Sequence, residues 1–326
     1  MKAAVFPRYG PIEVLEVREL PKPSPRSTEI LIKVCYSTVI AGDCELRSFS
    51  FPWWFWLPLR LYTGLFRPSR VKIPGQEFSG EVETVGNEVN GFKPGDQVFG
   101  ATGPPFSGNA EYVCVSKTRA LALKPAALSH DVAATIPTGG LNALHYVRMA
   151  ELKPGSRILI NGACGNIGSF AVQLAKFFGA EVTAVDAHEK LDALRGMGAD
   201  HVIDYKREDF TKSERTYDAI LDVVGKASFS GCLRRLTPKG RLVIANPNLR
   251  SILRGKWVSI KSDKKVRVQF ADYKVEDLEY LSGLIEKGEL RAIIDQTFEL
   301  SQIQEAHRYV EEDHKKGNVV LRIPTG

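Results

Sequence analysis

The spacing of apolar positions changes twice along the chain. From residue 1 to about 120, apolar residues fall in short β-rich runs cut by Gly and Pro, at 29–34, 80–85 and 110–115. These runs predict strands, separated by turns such as Lys93-Pro94-Gly95-Asp96. After about residue 126, strand-length apolar runs alternate with amphipathic runs of helix length. Strands are predicted at 157–160, 181–185 and 217–221, and helices at 169–178 and 191–195. Strand, helix, strand in that order predicts an α/β fold with a doubly wound parallel sheet. The last stretch returns to mixed structure, with helices around 277–285 and 303–311 and a closing strand at 318–323. There is no internal repeat and no low-complexity segment.

The sharpest chemical signal lies where a strand run meets a helix run, at Ile158-Leu159-Ile160-Asn161-Gly162-Ala163-Cys164-Gly165-Asn166-Ile167-Gly168. Gly162, Gly165 and Gly168 let a backbone turn tightly and approach a pyrophosphate. The N–H groups and positive dipole at the start of the next helix then meet its charge. The second half of this nucleotide signature is an acidic residue about 20 positions on, and Asp186 closes the run Val182-Thr-Ala-Val-Asp186. Its carboxylate can accept both ribose hydroxyls of NAD and would repel the 2′-phosphate of NADP. Lys190 pulls the other way, toward that phosphate, or hydrogen-bonds the ribose. On this balance NADH is the preferred form of NAD(P)H. The competing reading makes Asp186 a turn residue that starts the next helix.

Composition narrows the class without changing this picture. The 326 residues are 44% hydrophobic, 25% charged and 9% aromatic, which fits a globular chain of about two domains and excludes disordered, collagenous and coiled-coil classes. The 44 Lys and Arg against 38 Asp and Glu leave a net +6, thinly spread, and no aromatic-plus-basic motif for nucleic acid. Five cysteines stand far apart without a C-x-x-C pair, so neither a disulfide framework nor a zinc knuckle is expected. No stretch reaches the ~18 apolar residues a membrane helix needs, and the start lacks the apolar core of a signal peptide. No integral membrane segment is therefore expected, and the expected compartment is the cytoplasm.

Together, several ordered motifs resemble the medium-chain dehydrogenase/reductases, in the zinc-free quinone oxidoreductase branch related to ζ-crystallin. They are Pro74-Gly75-Gln76-Glu77-Phe78-Ser79-Gly80, Lys93-Pro94-Gly95-Asp96, Ala110-Glu111-Tyr112-Val113, Lys153-Pro154-Gly155, the glycine loop, Gly198-Ala199-Asp200-His201-Val202-Ile203-Asp204-Tyr205 and Gly317-Asn318-Val319-Val320. The resemblance covers nearly the whole chain. It implies a GroES-like β-rich catalytic domain at 1–125, a Rossmann nucleotide-binding domain inserted at 126–264, and a return to the catalytic domain at 265–326. The active site would lie in the cleft between them, and the assembly would be a homodimer. Positions that hold catalytic zinc in metal-dependent relatives fall on Ile40, Gln76 and Thr138, and the structural-zinc loop falls on a cysteine-free segment near 100–111. The metal-free branch passes hydride from nicotinamide to a quinone or an activated carbon.

The resemblance also assigns residues. Asn142 aligns with a residue near the cofactor, Tyr205 with one beside the adenosine ribose, and Asn318 belongs to the last motif. Asn166 replaces a second glycine in the loop, and Ile40 replaces an Asn found in many members, while the family Asp is kept as Asp43. Asp43 either orients a polar group near the nicotinamide or caps a short helix at Cys44-Glu-Leu-Arg. The aromatic loop from Phe51 to Phe66 has three readings: a wall for a flat apolar acceptor, a packed surface loop, or an interfacial segment dipping into a membrane. Within it Tyr62 is a candidate proton donor, with packing as the alternative. His145 and His201 read as packing residues, and Cys164 as a candidate for oxidation if exposed. The expected activity is zinc-independent reduction of a quinone or an α,β-unsaturated carbonyl by NAD(P)H, with a small apolar or aromatic acceptor. Alcohol dehydrogenation is disfavoured, because no metal or Tyr-x-x-x-Lys pair activates a hydroxyl. The alternative from another class is a catalytically weak nucleotide-sensing or RNA-binding protein on the same fold.

Overall fold

The computed structural model describes residues 1–324, apart from the side chains of Trp53 and Trp54. The chain divides into two compact units: one made of 1–138, 273–286 and 292–326, the other of 139–272 and 287–291. The first unit thus extends past the expected border at 125, and the middle unit past the expected border at 264.

The first unit opens with the antiparallel pair β1 (Lys2–Val5) and β2 (Glu16–Glu19), then the long strand β3 (Glu29–Val39). Next come helices α1 (Ala41–Ser48) and α2 (Trp53–Thr63), then β4 (Glu77–Val85), β5 (Gln97–Ala101), β6 (Tyr112–Ser116), β7 (Leu121–Leu123) and the short helix α3 (His130–Ala134). β3 pairs antiparallel with β4 along most of its length and with β6 along its first half, setting Ile32 opposite both Val82 and Val113. The core of this unit is built from such positions, with Phe6, Ile30, Val34 and Phe78 fully buried. α3 packs on β3, β4 and β5, which is why the unit runs on to Thr138.

The middle unit alternates helix and strand as its apolar spacing predicts. It contains α4 (Leu141–Met149), β8 (Arg157–Asn161), α5 (Asn166–Phe177), β9 (Glu181–Asp186), α6 (Leu191–Gly196), β10 (His201–Asp204) and β11 (Tyr217–Asp222). It continues with α7 (Phe229–Arg235), β12 (Leu236–Ile244), α8 (Leu249–Lys261) and β13 (Lys265–Arg267). Its sheet is parallel throughout, in the order β10-β9-β8-β11-β12-β13. The strand order reverses between β8 and β11, the topological switch point where such sheets bind ligands. Ile158, Leu159 and Ile160 are all fully buried, as a strand covered on both faces requires.

The chain then returns to the first unit through α9 (Val275–Glu286), β14 (Ile294–Glu299), α10 (Ile303–Glu311) and β15 (Asn318–Arg322). β15 pairs antiparallel with β3, Val319 opposite Val39 through Arg322 opposite Tyr36, and parallel with β14. The fold is thus a doubly wound parallel sheet inserted into a β-rich, GroES-like unit.

One expectation changes. The aromatic stretch from Phe51 to Phe66, read from its prolines as a loop, is largely the helix α2. Pro52 precedes its first turn, where a proline is tolerated, and Pro58 sits inside at the cost of one backbone hydrogen bond.

Candidate functional site

β8 ends at Asn161 and the chain turns through Gly162 to start α5 at Asn166. Gly162 has φ +80, and a Cβ there would stand 2.6 Å from Val224 Cγ2. Gly168, in the first turn of α5, lies against the Gly162 carbonyl and the Ala163 backbone, so any side chain would collide. These two glycines set the closest approach of strand end and helix. Gly165 plays a different part: it is the N-cap of α5, and a Cβ on it would meet only Gly162 O at 3.7 Å. It has no side chain to occupy the N–H groups of the first helical turn, so the loop keeps an open, electropositive cradle suited to a pyrophosphate. Ile167 is half-buried in that turn, and α4, which carries the half-buried Asn142, packs on α5.

Asp186 ends β9 as the sequence predicts, yet both its oxygens are engaged. Oδ2 accepts from Cys164 N at 2.9 Å, and Oδ1 accepts from Ala187 N at 2.9 Å. Lys190 Nζ lies 3.1 Å from Oδ1, and both side chains are buried. The two residues expected to oppose each other therefore neutralise each other, and Asp186 fastens the glycine loop to the second strand. Tyr205, half exposed just past β10, donates its backbone N–H to Asp186 O at 3.2 Å. Gly162, Gly165, Asp186, Lys190 and Tyr205 thus gather at one end of β8, β9 and β10. A further staple was not anticipated from the sequence. Asn161 Nδ2 donates to Asp222 Oδ1 at 2.9 Å, which also accepts from Gly225 N at 3.0 Å, tying β8 to β11 at the switch point. Its signal was present, since Asp222 closes an apolar strand run just as Asp186 does.

Asn318 lies in the other unit. It is buried at the start of β15, with its N–H and Nδ2 both donating to Ile293 O, at 2.8 and 3.0 Å. In the same unit a buried polar cluster surrounds Asp43. Asp43 Oδ2 accepts from Ile40 N and Oδ1 from Gly75 N, each at 3.0 Å, and Gln76 adds a side-chain hydrogen bond. The carboxylate therefore caps α1 and pins it to the segment leading into β4. Burial raises its pKa to about 6. Glu77, not singled out from the sequence, accepts from Thr38 Oγ1 at 2.5 Å and from Thr138 N at 2.6 Å. Burial raises its pKa to about 7, with a smaller push from Asp43.

This cluster contains Ile40, Gln76 and Thr138, the positions that the family resemblance sets against catalytic-zinc ligands, and their side chains do not fit a zinc ion. They supply an apolar side chain, an amide and a hydroxyl, while the neighbouring carboxylates hold backbone and side-chain donors. Cys44 Sγ stands 3.3 Å from His307 Nδ1 close by, but burial pushes the thiol pKa up and that of His307 down to about 3, so both are neutral packing groups. Among the described residues no group of three or more His, Cys, Asp or Glu could hold a metal ion.

α2 divides its aromatic residues between two roles. Arg60 lies over the rings of Tyr9 and Phe49 at 3.9 and 4.0 Å, and Trp56 meets Phe49 edge-on. Leu57 and Leu61 are exposed on the same helix, as is Phe66 beyond it at 89%. Tyr62 is exposed as well, with Arg70 5.6 Å from its ring centroid. The side chain of Trp54 lies outside the described residues. Elsewhere, His145 packs edge-on against Tyr146 and His201 pairs with Glu181 at the surface. Cys164 is fully buried, which removes it as an exposed oxidisable thiol.

Comparison with known proteins gives consistent relations. Residues 26–124 match the alcohol dehydrogenase GroES-like domain, and residues 197–321 match a family described as zinc-binding dehydrogenase. The human mitochondrial NAD(P)H oxidoreductase RTN4IP1 is 32% identical over 99% of this chain and 89% of its own length. The chloroplastic quinone-oxidoreductase QR1 of Triphysaria versicolor is 30% identical over 98% of each chain. Among solved structures, the quinone oxidoreductase from Coxiella burnetii superposes with a TM-score of 0.89, at 32% identity and 99% coverage of both chains.

Proposed function

Because the chain belongs to the medium-chain dehydrogenase/reductase family and is an NAD(P)H-dependent oxidoreductase, we propose that it reduces quinones or α,β-unsaturated carbonyls without zinc. The observation that carries this reading is the donor set at Ile40, Gln76 and Thr138, beside carboxylates already committed to N–H and O–H donors. That set offers an amide and a hydroxyl, which can hydrogen-bond a carbonyl oxygen but polarise it far less than a metal ion does. The acceptor must therefore bring its own electrophilicity, as a quinone or a conjugated carbonyl does. Bound NAD(P)H would supply the hydride.

The chain's own residues have distinct tasks in this reading. Gly162, Gly165 and Gly168, with Asn166 and Ile167 in the first turn of α5, bind the pyrophosphate through backbone N–H groups. Asp186, Lys190 and Tyr205 border the adenosine ribose, and Asn142 and Asn318 complete the proposed cofactor set. Asp43 acts through α1 as a positioning residue. The apolar face of α2 receives the acceptor, and Tyr62 or water returns the proton. NADH is the proposed preference, though a small one, because Lys190 already balances the charge of Asp186. A cytoplasmic homodimer is the proposed state, supported by five free cysteines and by the position of β13 at the end of its sheet. No nucleic-acid partner is proposed, and among the described residues no helix is long and apolar enough to cross a membrane.

The test is a panel of naphthoquinones, enones and simple ketones assayed with NADH and NADPH, before and after chelation, alongside elemental analysis. The expected result is turnover of quinones or enones alone, unchanged by the chelator, with zinc far below one per chain. Activity lost to the chelator and restored by zinc would overturn it.

A further inference from the structure

The amphipathic order of α8 is inverted. Its inner face carries small side chains beside the half-buried Val258: Ser251 and Gly255 are buried, and a Cβ on Gly255 would stand 2.7 Å from Val266 on β13. Its outer face carries the large apolar ones, Leu249, Leu253, Trp257 and Ile260, the last two 63% and 79% exposed. At about 100° per residue these four fall within roughly 80° of the helix circumference, opposite the packed face. Arg250, Arg254 and Lys261 flank the stripe on one side and Lys256 on the other. The helix is held in this shape before any partner arrives, since Asn248 and Ser251 cap each other reciprocally.

The charge around the stripe points to the partner. Between Asp222 and Asp263 the sequence holds no Asp or Glu and nine Lys or Arg, although acidic residues are common elsewhere in the chain. A second copy meeting this face with the same face, about a two-fold axis through the stripe, would set the same cations against each other. A nucleic acid would match the cations and leave the aliphatic stripe in water. A bilayer with anionic headgroups matches both, taking the apolar side chains at the level of the acyl boundary and the cations among its phosphates. We infer that α8 is an interfacial helix that docks this protein on anionic membrane surfaces. The inference is independent of the proposed acceptor, and no nucleotide is needed to test it.

The experiment is co-flotation of the full-length protein with vesicles of phosphatidylcholine alone or mixed with phosphatidylglycerol. Binding is expected to be at least ~10-fold greater on the anionic vesicles at low salt and to fall steeply as salt rises. Two variants separate the components: Leu253→Ser/Trp257→Ser/Ile260→Ser removes the stripe, and Arg250→Glu/Lys261→Glu reverses its flank. Each is expected to lower binding about 10-fold with an unchanged thermal melt, because the altered side chains are exposed. Trp257→Phe, which keeps the apolar character, is expected to bind as the native protein does. Equal binding to neutral vesicles, or anionic binding that survives loss of the stripe, would overturn the inference. So would sedimentation showing that the stripe variant dissociates an oligomer, which would assign this face to a second copy.

Discussion

Two buried carboxylates, Asp43 and Glu77, sit beside Ile40, Gln76 and Thr138, and both are held partly against their charge. Glu77 has its pKa raised from 4.5 to about 7 because burial strips its water, and its bonds from Thr38 and Thr138 only partly compensate. A raised carboxylate pKa means that the folded state binds the proton more tightly than the unfolded state does. Its stabilising effect is therefore complete below 4.5 and is lost as pH rises through about 7. Glu77→Gln can accept from Thr138 N and donate to the Thr38 hydroxyl, so it keeps both contacts without the charge. The fall in melting temperature from about pH 5 to about pH 8 is expected to be shallower in the variant, by the equivalent of a few kcal/mol. Parallel pH profiles in the two proteins would show that Glu77 carries no such strain. Asp186 makes a second residue-level case. Its pairing with Lys190 could not be read from sequence, because a four-residue spacing at a strand end fixes proximity but not whether two side chains turn inward together. Asp186→Ser frees the Lys190 ammonium for a 2′-phosphate, and kcat/KM is expected to move about 10-fold toward NADPH. An unchanged nucleotide ratio would remove both residues from cofactor discrimination.

At the scale of elements, legibility followed the strength of the local pattern. α5, β9 and α10 appear within three residues of their expected ends because their apolar periodicity is regular and Gly or charged residues punctuate it. α2 was hidden by Pro52 and Pro58, which read as breakers, although the first lies before the helix and the second costs only one bond. α8 left a signal in Asn248 and in the spacing of Leu249, Leu253, Trp257 and Ile260, but that stripe faces out, so the usual inference from apolar stripe to core would have set the helix backwards. α2 invites a test that separates packing from acceptor contact. Trp56 packs on Phe49 and under Arg60, so Trp56→Ala is expected to cost about 1 to 2 kcal/mol of stability whatever it does to substrate. Leu61 is 65% exposed, so Leu61→Ala is expected to leave the melt unchanged and to raise KM for bulky quinones several-fold, but not KM for the nucleotide. Identical KM values for every acceptor would reduce α2 to a surface helix.

At the scale of the whole molecule, the parallel sheet was legible because its strands and helices alternate locally, each next to its neighbour in sequence or one crossover away. The discontinuous first unit was not legible from periodicity. β15 shows itself as an apolar run, but nothing in that run names β3, nearly the whole chain away, as its partner; the family resemblance implied only a return to the first domain. The return of the chain is also what completes the first unit's core. Val319, Val320, Leu321 and Ile323 are buried, and at about 1.5 to 3 kcal/mol each their burial is comparable with the whole net stability of a typical domain. α10 adds a charge that cannot be spared: the guanidinium of Arg47 on α1 is buried and pairs with Glu311. Ending the chain after Arg291 would remove β14, α10 and β15, expose the half of one β3 edge from Tyr36 to Val39 and strand that buried cation. The middle unit loses none of its own residues by this cut, and Gln173 keeps its paired bonds to the Arg291 backbone. The truncated protein is expected to lose all acceptor reduction and the cooperative melt of the first unit. It should retain a smaller transition from the middle unit and NADH binding by fluorescence, because the glycine loop, Asp186 and Lys190 all lie there. Loss of NADH binding together with the first unit would mean that nucleotide affinity depends on residues such as Asn318, and that the glycine loop alone does not hold the cofactor.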